Sequence, residues 1–142
     1  MRRAQILAVG RLREPLLRQA CDDYYRRCHR TVVVEERELR DLAALKAALP
    51  GRATLVVLDE RGEQLPSRAF AERLRGWIES TIPLVFVMGG ADGLDDELRS
   101  RAQLVLSLGR MTFAHRLVRL ILAEQLYRAV SILEGSPYHR EG

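Results

Sequence analysis

The stretch LVFVMGGADGL, residues 84–94, holds five consecutive apolar residues followed by three glycines within five positions. An apolar run this short, ended by glycine, reads as a strand buried on both faces. A strand that ends in such a loop cradles a phosphate, holds another ligand, or simply turns. Working outward, AQILAVG (4–10), TVVVEER (31–37), TLVVLD (54–59) and LVLSL (104–108) read as four more strands. Between them lie amphipathic stretches. EPLLRQACDDYYRRCHR (14–30) has Pro15 in its first turn and Leu17, Cys21, Tyr24 and Cys28 on one helical stripe. DLAALKAAL (41–49) carries Asp41 as N-cap and stops at Pro50-Gly51, and Asp59 through Gln64 read as a polar turn. Ser67–Glu79 turns Phe70, Leu74, Trp77 and Ile78 inward, LDDELRSRA (94–102) forms a short helix, and a last long helix runs from about Ala114 to Leu133. Strands alternating with helices predict an α/β fold: a mainly parallel, five- to six-stranded sheet with helices on both faces. Repeats and linker-like composition are missing, so residues 1–142 are expected to form one domain.

In such sheets ligands bind beyond the carboxyl ends of the strands. That rule nominates the turn after Leu58-Asp59, the Gly89-Gly90 loop, and Ser107–Ala114. The glycine loop matches neither common phosphate cradle, having no G-x-x-x-x-G-K-[ST] and no G-x-G-x-x-G. Asp92, Asp95, Asp96 and Glu97 around it repel polyphosphate. A carboxylate-lined glycine loop suits a neutral or cationic ligand lying close against backbone, and a plain structural turn remains the competing reading.

The chain carries 23 basic and 19 acidic residues, a formal net charge of +4. Eight arginines face three carboxylates within residues 1–30, so the excess is concentrated there. Arg26, Arg27 and Arg30 are therefore candidate contacts for an anionic partner such as RNA; the solvated face of an amphipathic helix accounts for them equally well. Cys21 and Cys28 lie roughly 10 Å apart along one helix face, too far for a disulfide. With two Cys and three His, a metal centre is not expected. No apolar run approaches the ~20 residues of a membrane span. A cytoplasmic protein is the expectation.

The block LSLGRMTFAHRLVRLILAEQLYRA (106–129), with AVGRL (8–12), LDERG (58–62), VMGGADGL (87–94) and PYHRE (137–141), closely resembles the ribosomal large-subunit pseudouridine N3-methyltransferases. These belong to the SPOUT class of S-adenosylmethionine (SAM) enzymes, and the resemblance runs through nearly the whole chain. It implies a C-terminal trefoil knot, a homodimer, SAM as cofactor, and a pseudouridine of 23S ribosomal RNA, met on the assembled ribosome, as substrate. Carried over by position, the SAM site falls on Leu58, Gly90, Gly109, Arg110, Met111, Thr112, Phe113 and Ala114. Three features depart from the family pattern: GGADG stands for the usual GGPxG, FAH for LPH, and residues 37–54 are shortened.

Methyl transfer from a sulfonium is an in-line displacement needing no metal, but the acceptor nitrogen must lose a proton. Polar groups near the C-terminal block are His115, Arg119, Glu124, Tyr127, Arg128, Tyr138, His139 and Arg140. His115 reads first as a cap of the last helix. Arg119 and Glu124, five residues apart, are not surface neighbours, so each needs another partner. Tyr127 reads as core or dimer-interface packing. The tail groups a titratable imidazole, a guanidinium and a phenol, which together suit a base and its phosphate. Tyr138, His139 and Arg140 are the catalytic candidates; His139, water and the RNA itself stay open as proton acceptor. A SPOUT enzyme of another RNA such as tRNA, and a silent ribosome-binding or RNA-binding module, remain as other functions.

Overall fold

The computed structural model describes residues 2–140, the side chain of His139 excepted. Five strands, β1 (Arg3–Val9), β2 (Val33–Leu39), β3 (Thr54–Gln64), β4 (Leu84–Met88) and β5 (Leu104–Ser107), alternate with helices α1 (Pro15–Arg27), α2 (Leu42–Ala48), α3 (Ser67–Glu79), α4 (Asp96–Arg101) and α5 (His115–Glu134). A 3-10 turn, Pro137–Arg140, follows. The sheet order is β2-β1-β4-β3-β5 and every neighbouring pair is parallel. All five residues of β4 are buried, because β1 and β3 flank it and helices cover both faces.

Period-2 alternation sorts the core into two layers. Ala4, Ile6, Val56, Phe86 and Leu106 face α1, α3 and α5, whereas Leu7, Val57, Val85 and Val87 face α2 and α4. Phe86 is fully buried, and its ring meets Phe70 and Trp77 edge-on at 6.3 and 6.4 Å. That burial contributes roughly 1.5–3 kcal/mol. Cys21 and Cys28 lie in the same layer, where burial pushes their thiols up to about 11 and about 12 and leaves both inert. No helix among the described residues is long and apolar enough to cross a membrane.

Three local readings are corrected. Glu14 stands outside α1 as its N-cap, its carboxylate accepting from the Leu16 and Leu17 amides at 3.2 and 2.9 Å. β2 begins at Val33 rather than Thr31, because the amides of Thr31 and Val32 both close the end of α1 on the Cys28 carbonyl. Residues 59–64 do not form a free turn. The chain stays extended to Gln64, and Leu58 and Glu63 share Leu106 as partner, so 59–62 make a bulge beside β5. Polar sequence misleads there because the bulge faces solvent while its ends remain in the ladder.

Gly62 sits within that bulge, where a Cβ would lie 2.5 Å from the Val105 carbonyl oxygen. Backbone cannot yield as a flexible side chain does. Gly62→Ala is expected to lower stability by about 1–3 kcal/mol in urea unfolding. Wild-type stability would refute this close approach.

Candidate functional site

The carboxyl ends of β3, β4 and β5 open into one cavity of about 640 Å³, within the range of small-molecule sites. Its floor is apolar, from Leu58, Met88 and Leu106, and its rim is built from the loops that follow the three strands. Of the expected cofactor set, Leu58, Gly90, Met111 and Phe113 line it. Gly109, Arg110, Thr112 and Ala114 belong to the same β5–α5 loop without being among the lining residues. That loop is tied at both ends. Ser107 Oγ donates to the Gly109 carbonyl at 2.8 Å and accepts from its amide at 3.1 Å, and Thr112 donates to Glu60 at 2.8 Å.

The glycine loop turns and holds a wall at once. The Gly93 amide bonds the Gly90 carbonyl at 3.0 Å with Gly93 at φ +76°, a left-handed conformation. A Cβ at Gly89 would lie 2.8 Å from Gly93 backbone. Two of the three glycines thus serve the turn itself. Gly90 serves the cavity: it lines the wall, and its Cβ position is 3.2 Å from Val9 Cγ1.

Five carboxylates (Asp59, Glu60, Asp92, Asp95, Asp96) and two guanidiniums (Arg61, Arg99) line this cavity. Asp59 would be raised by burial, but the Arg61 amide at 2.9 Å and the Arg99 guanidinium at 2.6 Å hold it below the usual carboxylate range. Lys46 likewise holds Asp95 low, and Asp95 also caps α4 through the Leu98 amide at 3.1 Å. The wall is therefore anionic at neutral pH and favours a cationic ligand over a polyphosphate.

His115 corrects the expectation of a cap. Ala114 occupies the N-cap position with no side-chain bond, and the exposed imidazole of His115 lines the cavity instead. Val118 and the Asp59–Arg99 pair also line it. Sequence reasoning nominated the turn at Asp59 but missed Val118 and Arg99, since only the packing of α5 and α4 against the strand ends brings them there.

Arg119, buried at 2% exposure, finds its partners across the fold. It reaches Glu36 at 3.0 Å, Glu38, and the Gly10 carbonyl at 3.0 Å. Glu124 pairs along its own helix with Arg128 at 2.7 Å and accepts from the Tyr138 hydroxyl at 2.9 Å. Tyr138 also stacks edge-on against Tyr127 at 4.6 Å. Burial and the bonds to Tyr24 and Glu124 push its phenol well up, so it stays protonated and donates. These contacts fix the tail beside Glu124, about 14 Å along α5 from His115 at 1.5 Å per residue. Within one chain, Tyr138 and exposed Arg140 are thus not brought to the cavity. The His139 side chain and Glu141 lie outside the described residues.

Arg26, Arg27 and Arg30 lie at the amino edge of the sheet, because α1 runs back from the end of β1 to the start of β2. Arg26 pairs with Asp23 at 2.9 Å, and Arg27 lies over the Tyr127 ring at 4.2 Å. The cavity is at the other edge.

A family model described as "Predicted SPOUT methyltransferase" matches residues 2–139. A Ruegeria pomeroyi protein named Ribosomal RNA large subunit methyltransferase H is 47% identical over 154 residues, covering 97% of this chain and 99% of its own. One of the same name from Anaeromyxobacter dehalogenans is 46% identical over 150 residues, covering 96% and 98%. A solved structure of a probable methylase family protein from Haemophilus influenzae Rd KW20 shares the fold, with a TM-score of 0.56 at 10% identity over 96% of this chain and 69% of that one.

Proposed function

The chain belongs to the SPOUT methyltransferase family, and from that premise we propose that it transfers a methyl group from SAM to N3 of a pseudouridine in 23S ribosomal RNA on the assembled ribosome. The observation that carries the reading is the cavity at the ends of β3, β4 and β5, with its apolar floor, glycine wall and acidic rim. Those features fit SAM, whose sulfonium and ammonium groups are cationic and which has no phosphate to repel. The named relatives support ribosomal RNA as the substrate class. The pseudouridine nitrogen and the ribosomal context rest on the motif resemblance, as does the trefoil knot we assign to the C-terminal segment.

Leu58, Gly90 and Gly109–Ala114 are proposed to hold the cofactor, and the acidic rim would favour its cationic groups. When bound, SAM supplies an electrophilic methyl on sulfur. The chain's part would be to hold that methyl in line with N3 and keep water out of the cavity, with S-adenosylhomocysteine as the co-product. The N3 proton passes to His139 or solvent, with Arg140 toward the RNA phosphate and the Tyr138 hydroxyl as a donor. Because one chain keeps its tail away from its own cavity, we place the tail of a second copy there, in a homodimer. Leu16 and Leu117, 74% and 41% exposed in the first turns of the packed helices α1 and α5, offer that copy an apolar face. Sedimentation equilibrium should give twice 16.2 kDa; a monomer would sink the homodimer.

The test is transfer of labelled methyl from SAM to ribosomes lacking the modification, with separated subunits and bulk tRNA in parallel. Label confined to assembled ribosomes, at a large-subunit pseudouridine, supports the proposal. Label on tRNA overturns the substrate and keeps the cofactor site. SAM binding without transfer to any of them overturns the reaction, and failure to bind SAM overturns the cofactor site too.

A further inference from the structure

Resting on that reading, we propose that the RNA docks on the carboxyl rim of the sheet beside α1 and α5, its phosphates held by Arg11, Arg13, Arg110 and Arg116. In a parallel sheet every strand-to-helix loop leaves at the same edge. Arg11 and Arg13 lie in the loop after β1, Arg110 in the loop after β5, and Arg116 in the first turn of α5. Contacts across the fold draw these segments together. Arg119 Nη1 donates to the Gly10 carbonyl at 3.0 Å, and Arg116 precedes Arg119 by three residues, one turn nearer the cavity mouth. Val9, just before Gly10, packs on Gly90 in the cavity wall.

All four arginines are exposed and make no ion pair among the described residues. Elsewhere guanidiniums are committed: Arg18 and Arg119 to Glu36 and Glu38, Arg99 to Asp59, Arg128 to Glu124. Charges left unpaired beside a cavity are available to an anionic partner. Of the cavity's five carboxylates, Asp92, Asp95 and Asp96 stand between β4 and the first residue of α4, Asp59 is paired with Arg99 and Arg61, and Glu60 accepts from Thr112 in the β5–α5 loop. The four unpaired arginines gather on the α1 and α5 side of the rim, and that local excess steers a polyanion there.

Apolar exposure adds a second, independent mark. Two large apolar side chains, Met111 and Phe113, are exposed at the cavity mouth itself, apart from the Leu16 and Leu117 face given to the second copy. Met111 is 78% exposed and Phe113 36%, and both line the cavity mouth between Arg110 and Arg116. Guanidiniums interleaved with an aromatic and a thioether suit unpaired RNA, with phosphates on the arginines and a splayed base over Phe113. Arg2, Arg30, Arg52, Arg101 and Arg140 are also unpaired among the described residues but stand at the amino edge, and unpaired Arg37 and Arg68 lie apart on β2 and in the first turn of α3, none of them beside an exposed large apolar side chain.

The test titrates a fluorescein-labelled 20-nucleotide oligouridylate against the full chain across a salt series. Arg11→Ala/Arg13→Ala/Arg116→Ala should weaken binding roughly tenfold or more and lower the log–log salt slope by about 2, since each phosphate contact on single strands adds about 0.7. A control of equal charge, Arg26→Ala/Arg30→Ala/Arg52→Ala, should change affinity less than twofold. Calorimetric SAM affinity should be unchanged in both triples. Equal loss in the control, or none in the rim triple, overturns the proposal. So does dissociation of a dimer by the rim triple in sedimentation, which would make this rim a subunit contact. Because oligouridylate binding is read without methyl transfer, failure of the rim and failure of the reaction are distinguishable.

Discussion

Arg119→Met should lower stability by about 1.5–3 kcal/mol, the usual worth of buried hydrogen bonds to charged groups, since Arg18 still pairs with Glu36 and Glu38. Glu36 and the Gly10 carbonyl would lose their guanidinium contacts to α5, with the Glu36 side chain only 6% exposed. Methionine refills the volume but offers no proton. Acid should narrow the gap. Burial raises the Glu38 carboxyl, but the Leu12 amide and the guanidiniums of Arg119 and Arg18 bring it below its ordinary value of 4.5. A depressed carboxylate stabilises fully above its unfolded pKa, and that contribution fades as pH falls through the folded one. The difference between wild type and variant in urea unfolding should therefore be largest near neutrality and shrink below about pH 4.5. A loss under 1 kcal/mol at pH 7, or a gap that widens in acid, would show that the network does not hold α5 to β2.

Gly90→Val should reduce SAM affinity by at least about 100-fold, near 3 kcal/mol at 1.4 kcal/mol per tenfold. The first added carbon would already stand 3.2 Å from Val9 Cγ1, and the branch methyls must then turn into the cavity. Gly90 has no positive φ, so the backbone tolerates valine and the destabilisation is confined to overpacking of about 1–3 kcal/mol. Gly51→Val is the matched control, with open space around its Cβ position. Calorimetry with SAM and thermal melts separate the two effects. Wild-type SAM affinity in Gly90→Val would remove the glycine loop from the cofactor site.

The strands and most helices were legible because their signals are local. Alternation, the Asp41 cap and the continuous apolar run at 84–88 each act within a few residues, and Asp41 does accept from the Ala44 amide at 2.8 Å. The three loops of the candidate site were legible through the geometry of parallel sheets, which sends them to one edge whatever their residues. Pairings decided by tertiary distance were not. Arg119 and Glu36 are separated by 83 residues, and no spacing rule links them. His115 looked like a cap because a helix starts there, yet Ala114 already occupies that place. The candidate docking arginines of α1 were read from their density along the chain, whereas the set proposed here on the rim is gathered in space from three segments.

The strand order also dictates when the chain can fold. Ala4 of β1 pairs with Leu84 of β4, and the layer holding Ala4 and Ile6 is closed by Leu122, Leu126 and Val130 of α5. The first strand thus waits for the last helix. Until α5 has been made, that layer has only α1 and α3 over it, and Ala4 and Ile6 lack the third helix that closes their side of the sheet.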